Sequence, residues 1–355
     1  MRIVMIAPPW HDVPPQGYGG IEFMLAQLIT GLVRRGHDVT LIGAGHTAVP
    51  ARFLRTFPRA PSQRIGEPMP ELLQAAQAHR MLTGLDADIV HDHSRAGPLT
   101  AAARTTPTLV TCHSCPVGEF RDYYRALGTS VFLVAISEAQ RLLAPDLNWV
   151  ATVYNALDVA TFPYRERKED WVLWLGRFCD YKGAHLAIDA ARAARRRIVL
   201  AGKLVEPVEH AYFDQHVRPR LGPDVSYVGE AGAQRKRRLL AAARCLLFPI
   251  QWEEPFGMVM IEAMACGTPV VALARGSVPE IVVHGRTGFA LHNPEELPDA
   301  IDAAGELDPL TCRRHVERYF DVHVMAEGYE RVYQQLVPNP AANTPQRSTH
   351  SNQRR

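Results

Sequence analysis

Two glutamates eight positions apart, Glu254 and Glu262, are the sharpest chemical feature of this chain. Between Phe256 and Cys266 the only charged residue is Glu262, in a stretch that reads apolar on nearly every side and runs on into Val270. A carboxylate placed there costs several kcal/mol of desolvation unless something fixed hydrogen-bonds to it, and a ligand hydroxyl would serve. The plainer reading makes Glu262 a backbone cap or a residue in a chance surface window. Glu254 stands just before an expected helix start at Phe256 and Gly257. Free amides and the positive end of a helix form an anion site there, and a glycine at Gly257 allows close approach. Glu253 beside it shows that an acid at a helix start needs no function.

A second stretch, Leu175-Gly176-Arg177-Phe-Cys-Asp-Tyr-Lys182-Gly183, follows an apolar run and opens a helical one. Arginine grips two phosphate oxygens at once and lysine acts as a point charge, so both are expected to face the helix start near Gly257. Solvated loop cations are the bland alternative. A third stretch, Pro8 to Glu22, is a glycine-containing loop ending in Gly19-Gly20. It lacks the GxGxxG spacing of dinucleotide sites, while its small residues permit close backbone approach to a ligand. Cys112-His113-Ser114-Cys115 has the CxxC spacing that serves redox chemistry and zinc alike, and no second CxxC or paired histidine cluster answers it. His91-Asp92-His93 lacks a third ligand and reads as structural, and Asp86-Ala87-Asp88 reads as a turn leading into a strand.

These residues need a frame. Short apolar runs at Ile3 to Ala7, Val39 to Ile42, Ile89 to His91, Thr108 to Thr111 and Val131 to Ile136 alternate with helical spacing, clearest after Gly20 at Leu25, Leu28, Ile29, Leu32 and Val33. The pattern pauses over the charged segment Asp158 to Asp170. It resumes at Trp171 to Leu175, Ile198 to Ala201, Val225 to Val228, Cys245 to Pro249 and Val270 to Ala274. Repeated β-α-β units predict two doubly wound parallel sheets, with the ligand beyond the carboxyl ends of the strands and in the cleft between them. The expected division is residues 1–160, residues 161–321, and a helix at about 322–336 that packs back on the first domain. Residues 337–355, rich in Pro, Asn, Ser, Thr and Gln, are expected to be a disordered tail.

Composition narrows the function. The chain has 355 residues, 47% of them hydrophobic, and 39 basic against 37 acidic side chains. That length suits about two domains, and a net charge of +2 gives no field for a polyanion, so nucleic acid is not expected as a partner. No apolar run approaches the roughly 20 residues of a spanning helix. Met1 to Ala7 carries one charge and runs into Pro8-Pro9, which does not fit a secretory signal, so the cytoplasm is the expected compartment. The basic cluster Arg235-Lys236-Arg237-Arg238 leaves a peripheral contact with the inner face of a membrane open, against the plainer reading as a solvated helix face.

In this order the stretches resemble glycosyltransferase family 4, retaining enzymes with the two facing Rossmann-like domains of the glycosyltransferase B fold. The resemblance is carried by the Gly-Gly-Ile-Glu loop, the Gly-Arg-x4-Lys-Gly segment at Gly176 to Gly183 and the Glu-x7-Glu segment, and it extends to about Leu336. Smaller matches lie at Val90 to His93, Thr111 to His113, Ala135 to Glu138, Asn155 to Asp158 and Gly276 to Val282. It departs at Ala156 and Ser277, where the family usually has glycine.

The resemblance implies a metal-independent transfer with no cofactor beyond the nucleoside diphosphate sugar itself. It implies that Arg177 and Lys182 bind the diphosphate, Glu262 the ribose and Glu254 the donor sugar. The backbone at Phe256, Gly257 and Met258 would hold phosphate oxygens, His113 would touch the sugar, and Gly19 and Gly20 would approach from the other domain. The acceptor would be a hydroxyl on a small molecule, a glycan or a lipid-linked sugar. A nucleotide-sugar epimerase or hydrolase of the same fold, and a non-catalytic nucleotide-sugar-binding subunit, are the competing readings.

Overall fold

The computed structural model describes residues 1–17 and 19–337, so from residue 338 onward the expected tail lies outside the described residues. Seven parallel strands form the first sheet: β1 (Arg2–Ile6), β2 (Asp38–Gly43), β3 (Arg52–Arg55), β4 (Ile89–Asp92), β5 (Thr108–Thr111), β6 (Phe132–Ala135) and β7 (Trp149–Thr152). Their order is β3-β2-β1-β4-β5-β6-β7, with Ile3 paired to Val39 on one side and Ile89 on the other. The second sheet has six: β8 (Trp171–Leu175), β9 (Arg197–Ala201), β10 (Val225–Tyr227), β11 (Leu246–Phe248), β12 (Val270–Leu273) and β13 (Gly288–Leu291). Their order is β10-β9-β8-β11-β12-β13, again all parallel.

Strands such as β11 and β12 are apolar without interruption because helices cover both faces of a parallel sheet. In each sheet the winding direction reverses once, between β1 and β4 and between β8 and β11, and a crevice opens at those reversals beyond the strand ends. The chain therefore has two Rossmann-like α/β domains, the glycosyltransferase B architecture.

Helix Gly20–Arg34 buries Leu25, Leu28, Ile29 and Leu32 against the first sheet. Helix Val322–Leu336 joins the same core through Met325, Ala326, Tyr329 and Val332. The chain passes between the lobes at two adjacent crossings, pinned where Leu157 N donates to Phe320 O (3.1 Å) and Val322 N to Leu157 O (3.0 Å). The segment read as a linker is docked. Lys168 Nζ donates to the carbonyls of Ala241 (3.0 Å) and Cys266 (2.9 Å), and burial lowers its pKa to about 8.

Candidate active site

The loops after β8 and β11 flank the reversal point of the second sheet, and they carry the motif residues. After β8 come Arg177 and Lys182, and Gly183 then caps helix Ala184–Ala193 in the left-handed region, φ 67°. A Cβ there would collide with the carbonyl of Pro249, so only glycine lets the Lys182 loop close onto the end of β11. After β11 come Glu254, Phe256 and Gly257, and Gly257 at φ 77° caps helix Met258–Ala265.

Lys182 and Glu254 meet directly as an ion pair, and Trp252 Nε1 donates to the same Glu254 oxygen at 3.0 Å. The Lys182 ammonium lies over the rings of Trp252, Phe248 and Tyr181, 5.4 to 5.8 Å from their centroids. Aromatic faces stabilise a cation while limiting its contact with water. The Glu254 loop is laced from below. Gly276 N donates to Glu253 Oε2 (2.7 Å), Ser277 N to Glu254 O (3.0 Å) and Ser277 Oγ to Phe256 O (2.8 Å). Ser277, which replaces a family glycine, is thus fully buried and pins the helix start.

Arg177 reaches across to the loop after β9. Its Nε donates to Glu209 Oε1 (2.9 Å) and its Nη2 to Glu206 Oε2 (2.7 Å). Lys203 Nζ pairs with Glu206 at 2.7 Å and lies 3.5 Å from Glu209. Glu209 has no exposed surface. Burial alone would raise its pKa, but the amides of Val205 and Glu206 with Arg177 outweigh that, and the net shift is downward. Two carboxylates of the neighbouring segment, Glu206 in the loop and Glu209 in helix Pro207–Tyr212, fix the Arg177 guanidinium.

Glu262 is buried, as its apolar surroundings imply, but its partner is protein: Lys236 Nζ lies 2.6 Å from Oε1. Within the basic cluster Lys236 is taken up by this pair, while Arg235 and Arg238 stay exposed on the helix face. Arg235 donates to Val228 O (2.9 Å), and Arg237 to Thr161 Oγ1 (3.3 Å) while stacking on Phe162. The Phe256 ring belongs to the core, 6.3 Å from Tyr154 and 6.0 Å from Phe320 between centroids, so only its backbone is left for a ligand.

The first lobe closes over these loops at several points. Gly19 caps helix Gly20–Arg34 at the end of the β1 loop, and Phe23 one turn later lies 5.7 Å from Lys236 Nζ. The loop after β5 holds His113 and Cys115, and Cys115 Sγ donates to Glu253 O (2.8 Å), next to Glu254. His113 Nε2 is 3.0 Å from His93 Nδ1 with the rings stacked, and burial lowers its pKa to about 3, so it stays neutral. Glu280 of the second lobe accepts from Glu138 N (2.8 Å), Ala139 N (2.7 Å) and Tyr154 Oη (2.8 Å), all in the first.

The competing motifs have other partners. His91 bonds Tyr333 Oη (2.8 Å) and Thr111 Oγ1 (2.7 Å) inside the core, and Arg2 pairs with both Asp86 and Asp88. Cys112 and Cys115 are free, and burial raises their thiols to about 11 and about 12, opposite to a reactive pair. No group of three metal-ligating side chains occurs among the described residues.

Sequence reasoning missed Glu206, Glu209, Lys203 and Lys236, whose contacts join distant segments. The only signal was a basic run whose Lys236 lies 26 positions from the acid it neutralises. Glu22, quoted only within the loop motif, is buried, and burial raises its pKa to about 7.

Two facing doubly wound lobes, with cations and glutamates gathered at the reversal point of the second, define the glycosyltransferase B class. A family model described as Glycosyltransferase Family 4 matches residues 18–202, and another described as Glycosyl transferases group 1 matches residues 169–305. The chain belongs to glycosyltransferase family 4 and is a glycosyltransferase. It is 27% identical over 379 residues to the phosphatidyl-myo-inositol mannosyltransferase of Mycobacterium tuberculosis, covering 96% of this chain and 98% of the relative. AviGT4, a glycosyltransferase involved in avilamycin A biosynthesis, superposes with TM-score 0.72 at 29% identity over 95% of this chain and 98% of its own. HepE from Anabaena, solved with UDP and glucose, shares the fold with TM-score 0.73 at 19% identity, over 94% of this chain and 99% of its own.

Proposed function

We propose that this glycosyltransferase is a retaining, metal-independent hexosyltransferase that moves a sugar from a nucleoside diphosphate donor to a hydroxyl acceptor. The observation that carries the reading is the placement of Arg177 and Lys182 after β8 and of Glu254 and the Gly257 amides after β11, around one reversal point. Each cation is already held by carboxylates, so donor binding need not order two long side chains. As the glycosidic bond breaks, charge grows on the diphosphate. The fixed cations and the free amides at Gly257 and Met258 stabilise that charge more in the transition state than in the ground state.

The acceptor oxygen forms the new bond on the face the diphosphate leaves, and its proton passes to a diphosphate oxygen, so no protein nucleophile is used. Glu254 positions the sugar rather than attacking it, consistent with its commitment to Lys182 and Trp252. Glu262, held through Oε1, offers Oε2 to the ribose. Neutral His113 serves as a hydrogen-bonding partner of the sugar rather than as an acid. HepE was solved with UDP and glucose, the kind of ligand this reading assigns here. No described helix is long and apolar enough to cross a membrane, and the relative that mannosylates phosphatidyl-myo-inositol supports a lipid-linked acceptor among the candidates.

A thermal-shift panel of nucleoside diphosphate sugars in EDTA tests the reading. At least one donor should raise the melting temperature of the wild type and not that of Arg177→Ala. No shift with any donor contradicts it. Product from donor alone, without acceptor, would indicate a hydrolase or epimerase.

A further inference from the structure

A cavity of ≈ 490 Å³ opens behind the Tyr154–Phe256–Phe320 aromatic cluster. Arg286, Arg314 and Arg318 line it, with His315, Glu280 and Tyr154. Several other arginines are matched by carboxylates, as Arg313 is with Glu317, Arg192 with Asp224 and Arg196 with Asp302, and those left unmatched among the described residues, such as Arg52 and Arg238, do not share a cavity with Arg286, Arg314 and Arg318. None of these three has a carboxylate within 4.0 Å among the described residues. Arg314 and Arg318 also stand four apart on helix Pro309–Tyr319, a like-charge spacing that weakens a helix unless an anion lies between the two. His315 Nε2 donates to Ile281 O (3.0 Å), and burial, with the nearby Arg286 charge, lowers its pKa. The acid in the wall, Glu280, is occupied by three hydrogen bonds to the first lobe.

We infer that this cavity is a second anion site, separate from the donor cleft, that takes a small phosphate-bearing ligand with two or more negative charges. Guanidinium forks suit phosphate oxygens, and Tyr319, half exposed at the rim, offers a face to an organic portion. Because one wall is Tyr154 of the first lobe and the rest belongs to the second, the site is complete only with the lobes in contact as seen here.

Calorimetry of the full chain with inorganic pyrophosphate in EDTA tests this. The wild type should bind at two sites per chain. Arg314→Glu/Arg318→Glu should lose one of them, with affinity there falling about 100-fold or more, while donor-dependent transfer is kept. Arg177→Ala/Lys182→Ala should lose the other. One site in the wild type, or two sites unchanged in Arg314→Glu/Arg318→Glu, overturns the inference. Co-sedimentation with phosphatidylglycerol vesicles separates the source of the anion: vesicle binding lost in the arginine variant, with a single pyrophosphate site in the wild type, assigns the patch to a lipid surface and overturns the soluble-ligand site.

Discussion

Lys236 Nζ lies 2.6 Å from Oε1 of Glu262, and this pair explains how a nearly all-apolar helix carries a carboxylate at the floor of the cleft. The counter-charge comes from the adjacent helix Ala233–Ala242, and the same ammonium sits beneath Phe23 of the opposite lobe. The Glu262 carboxylate thus has its counter-charge within the protein.

Replacing Lys236 by Met should destabilise the fold by about 2–3 kcal/mol, somewhat less than the roughly 3–5 of a fully buried pair, because Lys236 is partly exposed. Adding Glu262→Gln should recover most of that loss in a denaturant double-mutant cycle. A solvated lysine would cost under about 0.5 kcal/mol and show no coupling.

Arg177→Ala should lower kcat by about 100- to 1000-fold, the usual effect of removing one fixed donor to a developing charge. Arg177→Lys should recover less than about a tenth of the activity, since Nε and Nη2 reach two different glutamates and an ammonium lacks that fork. Steady-state kinetics with intact circular dichroism checks both.

Glu280→Ala removes the acceptor of two helix-start amides and the Tyr154 hydroxyl, three links between the lobes. The radius of gyration by solution scattering should rise and kcat fall about tenfold, because the site depends on closure. An unchanged scattering curve would show that the lobes do not rely on this contact.

Glu22 titrates near 7 in the folded chain against a reference of 4.5, with burial the main cause. A raised carboxyl pKa means the folded state holds the proton more tightly. Its contribution is therefore complete below about pH 4.5 and is lost as pH rises through 7. Glu22→Gln should be more stable than the wild type at pH 8, by about 3 kcal/mol, and the difference should vanish below about pH 4.5. A constant difference across pH would assign Glu22 an ordinary pKa.

At pH 8 the native protein should react slowly with a thiol reagent at Cys112 and Cys115, and purified samples should hold no stoichiometric zinc, since burial keeps both thiols protonated. Rapid labelling of either would revive the CxxC chemistry.

The fold was largely readable because parallel strands covered on both faces are uninterrupted apolar runs. The strands that escaped are edges. β3, with arginines at both ends, and β7, half exposed throughout, border the first sheet, and β13, which begins at Gly288, borders the second. An edge strand is covered less and so lacks the continuous run. In the site, the motif spacings pointed to Arg177, Lys182, Glu254 and Glu262, while their charge partners did not show. Glu206 and Glu209 carry only the local spacing of a helix capping box, and their pairing with Arg177, like that of Lys236 with Glu262, arises from tertiary packing. The Phe256 ring packs on Phe320, which the motif does not reveal, since a ring in it reads alike whether it faces a ligand or the core.

The central claim is that Arg177, Lys182, Glu254 and Glu262 serve one pyrophosphate-linked sugar. A crystal structure with the nucleoside diphosphate sugar that best stabilises the protein tests it most directly. The account predicts the diphosphate between the Arg177 and Lys182 side chains and the Gly257–Met258 amides, with ribose at Glu262 and sugar at Glu254. A donor bound with its diphosphate away from Arg177 and Lys182, or its ribose away from Glu262, would contradict it.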